Sequence, residues 1–113
     1  MTADRDELLF VYGALRRPDL QLDTFGRRAA ATPALLAGYT TDVVGIADER
    51  FGDREGATVQ TVLRRTGHAR DKVVGEVLHL SLFELEAADE VQFATFRRTR
   101  VRLSDGKDAW VYL

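Results

Sequence analysis

The sequence predicts an α+β domain, and three observations carry this prediction. Stretches rich in β-branched and aromatic residues alternate with glycine-containing or polar turns, which is the pattern of short strands. The tetrad Ser81-Leu82-Phe83-Glu84 has the spacing of a capping box, which marks the first turn of a helix. Asp105-Gly106 separates two alternating runs and favours a tight hairpin turn. A length of 113 residues suits one compact domain, so we assign residues 1–113 to a single domain.

In the first half of the chain, an apolar run that ends abruptly at Gly13 predicts a strand followed by a turn. Pro18 suits the first turn of a following helix, and Gly26 suits its end. The predicted segments are a strand at 7–12, a helix at 19–25, a connection at 27–33, a strand at 38–46, an exposed loop at 48–56 and a strand at 57–63. A lid over a site is the alternative interpretation of the charged loop.

The second half of the chain is predicted to hold a strand, a helix and a terminal hairpin. The helix that starts at the capping box runs to about residue 91. The predicted strands are at 73–80, 96–103 and 108–113. In the strand at 96–103, period-two alternation places Thr99, Val101 and Leu103 on one face and Arg98, Arg100 and Arg102 on the other. We expect the arginines to lie on a solvated face and to pair with acidic groups.

The composition excludes several functional classes. With 16 basic and 18 acidic residues the formal net charge is −2, so no nucleic-acid partner is predicted. The absence of cysteine rules out disulfides and thiolate chemistry and is compatible with a cytoplasmic protein. No apolar run approaches the ~20 residues of a membrane span, so we expect no membrane association. His68 and His79 lack metal-ligand spacing, and no glycine-rich phosphate loop is present, so no metal and no cofactor are predicted.

The stretch at 8–18 is the strongest candidate for a site. A buried strand feeds a glycine turn and then a helix, and such a junction directs several backbone N–H groups at one spot. Those groups can hold an anion or a developing oxyanion. The alternative is an ordinary strand end with no further role.

Two blocks of the sequence resemble the γ-glutamylcyclotransferase-like family. Val11-Tyr12-Gly13-Ala14-Leu15-Arg16 resembles the family signature Tyr-Gly-Ser/Thr-Leu-Arg. The stretch at 87–98 resembles the pattern Leu-Asp-x-x-Glu followed by Tyr-x-Arg, and the final strand at 109–113 fits the family order. The resemblance implies a small mixed, partly closed β-barrel with flanking helices.

The resemblance also implies a chemistry. Family enzymes act on γ-glutamyl amines or amides, whose own α-amine attacks the γ-carbonyl to release 5-oxoproline and a free amine. This reaction needs a general base, N–H donors for the carbonyl oxygen, and a substrate folded so that amine and carbonyl meet. The substrate-binding residues implied by the resemblance are Tyr12, Gly13, Ala14, Leu15 and Phe96.

The sequence departs from the family pattern where a base is needed. Gln92 stands at the position of the family's catalytic glutamate, and a carboxamide cannot carry a proton. Losing a positioned general base typically costs ~10²–10⁴-fold in rate. Ala14 and Phe96 each lack a hydroxyl that the family often carries, and Phe93 places a bulky ring beside Gln92.

Two other carboxylates are candidates to replace the missing base. Asp89 lies three residues before Gln92, so both share a helix face if the helix continues that far. Glu76 lies within a strand and points either into the barrel or outward. Two functions therefore remain open: an enzyme with impaired cyclisation, or a non-catalytic module that binds a γ-glutamyl or carboxylate ligand or a partner on the same fold.

Overall fold

The computed structural model describes residues 7–46, 58–92 and 96–113. The predicted loop at 48–56 lies outside this part of the chain. The elements are β1 (Glu7–Val11), a 3₁₀ turn (Ala14–Arg16), α1 (Pro18–Phe25), β2 (Ala31–Ala37), β3 (Tyr39–Ile46), β4 (Thr58–Arg65), β5 (Lys72–Leu80), α2 (Leu82–Gln92), β6 (Arg98–Arg102) and β7 (Asp108–Tyr112). Except for β2, the predicted segments match these elements to within two residues at each end.

The strands form a five-stranded sheet and a separate two-stranded hairpin. The order in the large sheet is β2-β5-β1-β7-β6, and β3 pairs with β4. β1 is central, because it pairs antiparallel with β5 and parallel with β7, where Leu9 lies opposite Trp110. Strands and helices thus pack into a mixed fold, which confirms the predicted α+β class.

The large sheet curls, and its two edge strands approach each other. Val101 and Leu103 from the β6 end pack in one cluster with Leu36 of β2 and Val73 of β5. The backbone N–H of Ser104, just after β6, donates a 2.9 Å hydrogen bond to the carbonyl of Leu35 in β2. The sheet is not a continuous closed barrel, so the prediction of a partly closed barrel is confirmed.

The sheet has a different core on each face. Phe10, Val77 and Val111 belong to the cluster inside the curl. Leu9, Leu78 and Tyr112 belong to the cluster beneath the helices, together with Leu85 and Ala88 of α2. Successive residues of a strand point to opposite faces, so these two clusters follow directly from the alternation of each strand.

Gly75 is needed inside the curl, where β5 passes very close to β1. A Cβ atom at this position would lie 2.4 Å from the carbonyl oxygen of Val11 and 2.7 Å from Cζ of Phe10. The Val11 oxygen belongs to the backbone and cannot step aside as a flexible side chain can. Only glycine therefore lets the Phe10 ring cover β5.

The segment at 31–37 corrects the prediction of a connection up to Pro33. These residues form β2, which pairs antiparallel with β5 along its length. Proline is tolerated in a strand chiefly at a sheet edge, because it has no N–H to donate. β2 is an edge strand, so Pro33 and the alanines around it fit a position that local propensity alone did not indicate.

The predicted helix signals are confirmed in atomic detail. The Glu84 N–H donates to Oγ of Ser81 at 3.1 Å, and the Ser81 N–H donates to Oε1 of Glu84 at 2.9 Å, which completes the capping box. Gly26 ends α1 in the left-handed conformation, with φ of 78°, and its N–H donates to the carbonyl of Leu22.

Candidate functional site

The turn after β1 is a single 3₁₀ turn. The N–H of Arg16 donates a 3.0 Å hydrogen bond to the carbonyl of Gly13, and Pro18 then opens α1. Leu15 is buried in the cluster beneath the helices, which fixes the turn on that face of the sheet. The same cluster contains Ala88 of α2 and Phe96. The two sequence blocks that carry the family resemblance therefore meet in space.

Gln21 anchors this turn, and sequence reasoning missed it. Its side chain is only 5% exposed. Nε2 donates to the carbonyl of Leu15 at 2.8 Å, and Oε1 accepts from the N–H of Ala29 at 3.0 Å. A buried amide with both ends hydrogen-bonded holds a single arrangement of its neighbours. Gln21 lies one helical turn before Phe25, so an amide on the apolar side of α1 was the available signal.

Tyr12 directs its side chain away from the turn. Period-two alternation puts it on the face of Phe10, and the two rings stack with centroids 6.4 Å apart. The hydroxyl donates a 2.8 Å hydrogen bond to the carbonyl of Tyr112. Burial raises the pKa of Tyr12 to about 12, although a hydrogen bond with the Leu63 backbone opposes the rise. The structure thus gives this hydroxyl a bond between β1 and β7.

Asp89 is held by two partners on neighbouring strands. Its Oδ1 accepts a 2.8 Å hydrogen bond from the hydroxyl of Tyr112 and lies 3.0 Å from Nε of Arg98. Burial raises the pKa of Tyr112 well above its usual range, and the bond to Asp89 adds to the rise. The Tyr112 hydroxyl is therefore a neutral donor to a charged carboxylate.

Gln92 is the last residue of α2, so the helix does continue from Asp89 to this position. The side chains of Ala14 and Gln92, and the whole of Phe93, lie outside the described part of the structure. Residue 92 lies at the C-terminal end of α2, and α2 packs on the same face of the sheet as Leu15 of the turn.

Glu76 lies on the helix-covered face and not inside the curl. It shares the face of Leu78 and Leu80, which belong to the cluster beneath the helices. It sits directly opposite Val11, the last residue of β1. Its Oε1 is 3.7 Å from Nε of Arg16, which comes from the turn. The Glu76 side chain therefore points out of the curled sheet and not into it, and it lies beside the turn.

Polar side chains form a row across the sheet at the level of Val11. Leu9 faces Trp110 in the parallel pair, so Val11 falls beside Tyr112, and Tyr112 lies opposite Arg98. The order across the sheet is Glu76, Val11, Tyr112, Arg98. Arg16 of the turn approaches Glu76 at one end of this row, and Asp89 of α2 contacts Tyr112 and Arg98 at the other end.

The arginines of β6 are partly neutralised, as predicted. Arg98 pairs with Asp89, and Arg102 pairs with Asp108 at 3.0 Å. The Arg98 and Arg100 guanidinium groups also lie 4.4 and 4.7 Å from the centre of the Trp110 ring, which is cation–π geometry.

Comparison with solved structures identifies the fold. The solution structure of At3g28950.1 from Arabidopsis thaliana matches with a TM-score of 0.74 and 20% identity, over 100% of this chain and 65% of that one. A structure described as a gamma-glutamyl cyclotransferase matches with a TM-score of 0.66 and 21% identity, over 95% of this chain and 65% of that one. The chain thus spans about two thirds of the length of these proteins.

The family assignment comes from the sequence profile. The family described as gamma-glutamyl cyclotransferase, AIG2-like matches residues 9–113, and the chain belongs to this family. A search of curated protein sequences finds no match.

Within the described ranges, neither helix is long and apolar enough to cross a membrane. Nor do three or more His, Asp or Glu side chains of those residues cluster where a metal ion could be held.

Proposed function

We propose that this protein binds γ-glutamyl amines or amides and that it cyclises them to 5-oxoproline only slowly. The observation that carries the proposal is the meeting of the two family blocks: Leu15 of the turn packs in one cluster with Ala88 and Phe96. The family membership supplies the substrate class. The activity is impaired because Gln92 occupies the position of the family glutamate.

In this proposal the turn stabilises the negative charge that develops on the substrate's carbonyl oxygen. The γ-carbonyl oxygen gains negative charge as the α-amine attacks, and backbone N–H groups around Gly13, Ala14 and Leu15 stabilise it. Because these donors belong to the main chain, the family's Ser/Thr hydroxyl is not needed for them. Ring closure then depends on removing a proton from the α-ammonium, and the amide of Gln92 cannot accept it.

Asp89 is a poor replacement base. Its Oδ1 already accepts from the Tyr112 hydroxyl and pairs with Arg98, so the same oxygen is engaged in two contacts within the fold. This observation favours the second candidate function, a non-catalytic module on the same fold that retains the ligand.

The test is production of 5-oxoproline from γ-glutamyl amines by the natural protein, by Gln92→Glu and by Gln92→Leu as a matched control without a carboxylate. We expect Gln92→Glu to exceed the natural protein by at least ~10²-fold, the usual contribution of a positioned base. Equal turnover by all three would contradict the role of residue 92. Failure of the natural protein to bind the amines, measured by calorimetry, would overturn the proposed ligand class.

A further inference from the structure

We propose that the Arg16–Glu76 pair is the receptor for the α-amino-acid end of the ligand, with Glu76 binding the α-ammonium and Arg16 binding the α-carboxylate. This inference rests on the proposed function and adds a requirement to it. The ligand must carry both a free ammonium and a free carboxylate on the same carbon.

The first support is the looseness of this pair. Its closest nitrogen–oxygen distance is 3.7 Å, which is longer than a good hydrogen bond. By contrast, Arg27 and Glu84 make two bonds of 2.6 and 2.8 Å. The side chains of Arg16 and Glu76 are 45% and 32% exposed, so solvent reaches both. A ligand that inserts between them loses little by separating them, because exposed pairs contribute only ~0–1 kcal/mol.

The second support is chemical complementarity. A zwitterionic amino-acid head carries one cation and one anion a few ångströms apart. A guanidinium is well suited to a carboxylate because its planar N–H groups can bind both oxygens. A carboxylate suits an ammonium, which offers only donors. Arg16 and Glu76 present these two groups side by side on the same face of the sheet.

The third support is position. Glu76 lies opposite Val11, and Val11 is two residues before Gly13 of the turn. Arg16 of the turn approaches Glu76 to 3.7 Å, so Glu76 lies at the end of β1 from which the turn begins.

The other acid–base pair on this row is less suitable. Asp89 and Arg98 are 3.0 Å apart, and the hydroxyl of Tyr112 also binds Asp89. Separating them would leave two partners of the carboxylate unsatisfied. The Arg98 guanidinium also lies over Trp110, which holds it in place.

The experiment measures, by titration calorimetry, the affinity of each of three ligands for each of five proteins. The probes are γ-glutamyl methylamide, its Nα-acetyl derivative, which lacks the ammonium, and its α-carboxamide, which lacks the carboxylate. The proteins are the natural chain, Glu76→Gln, Arg16→Gln, and the matched controls Arg17→Gln and Asp42→Asn, whose ion pairs lie elsewhere on exposed surface.

We expect each analogue to bind the natural protein and both controls about tenfold or more weakly than the parent, as loss of a charged hydrogen bond implies. Glu76→Gln should bind the acetylated analogue as tightly as the parent amide, and the carboxamide still more weakly than the parent. Arg16→Gln should bind the carboxamide as tightly as the parent amide, and the acetylated analogue still more weakly. The Arg16 Nε–H resonance should shift with the parent amide and with the acetylated analogue, and not with the carboxamide.

The outcomes separate the two proposals. Suppose that the natural protein binds the parent amide, but Glu76→Gln still binds the acetylated analogue more weakly than the parent, or Arg16→Gln still binds the carboxamide more weakly. The amino-acid head group then lies elsewhere, and only this inference fails. If the natural protein binds the parent and both analogues equally, the inference also fails, without any need for a folded variant. If the natural protein does not bind the parent amide, the proposed function itself fails.

Discussion

The hydroxyl of Tyr112 donates a 2.8 Å hydrogen bond to Oδ1 of Asp89, and this bond joins the last strand to α2. Arg98 approaches the same oxygen from β6, so one carboxylate ties the helix to two strands. The candidate site lies beside this junction. The geometry of the candidate site should therefore depend on the Tyr112–Asp89 hydrogen bond, although neither residue has a chemical role in the proposed reaction.

Replacing Tyr112 by Phe should destabilise the fold while leaving Asp89 paired with Arg98. The loss should be about 1.5–3 kcal/mol, the range for a hydrogen bond to a charged group. Urea denaturation measures it, with Tyr39→Phe as a control at a tyrosine that is only partly buried. An unfolding midpoint for Tyr112→Phe equal to that of the control would contradict a stabilising role for the Tyr112–Asp89 bond.

Glu84 should make stability depend on acid pH. The side-chain hydrogen bond from Arg27 is the main reason that the pKa of Glu84 falls from 4.5 to about 2. An acid with a depressed folded pKa stabilises the protein fully above its unfolded pKa. That contribution disappears as pH falls from about 4.5 to about 2.

The measurement is the urea midpoint of the natural protein and of Glu84→Gln between neutral and acid pH. We expect the natural protein to be about 2 kcal/mol more stable at pH 7, since the pair is mostly shielded from solvent and also caps α2. The difference should narrow across the stated window. A gap independent of pH would show that charge is irrelevant to this contact. Glu86→Gln, at an exposed position of the same helix, is the matched control.

Gly75→Ala should be among the most damaging small substitutions in the chain. The new methyl would lie 2.4 Å from the Val11 carbonyl oxygen, so β1 and β5 would have to separate. We expect a loss of about 3 kcal/mol or more, as for severe overpacking. Val74→Ala, next in the same strand and 67% exposed, should change stability by less than about 0.5 kcal/mol. Similar melting temperatures for the two variants would refute the close approach.

Local signals made much of this fold predictable. The capping box at Ser81, the glycine after α1 and the Asp-Gly turn each act through a few neighbouring residues, so sequence alone reveals them. β2 was missed for the opposite reason. Its alanines and Pro33 have low strand propensity, and only pairing with β5 makes the segment a strand.

In the candidate site, too, local sequence made some features predictable and tertiary packing determined the others. The resemblance implies ligand contact for Tyr12, and the structure places its ring against Phe10 and its hydroxyl on the carbonyl of Tyr112. The Gln21 bridge and the Arg16–Glu76 pair could not be predicted, because each joins segments whose approach depends on the packing of α1 and β5. The resemblance identified the right two blocks, and tertiary packing determined which side chains face each other.

The parallel pairing of β1 with β7 has a consequence for how the chain acquires its structure. Leu9 of the central strand pairs with Trp110 of β7, and these two residues are far apart in the sequence. Loop-closure entropy must be spent over almost the whole sequence before β7 docks. The edge of β1 that binds β7 should therefore be filled later in folding than contacts between segments that are close in sequence.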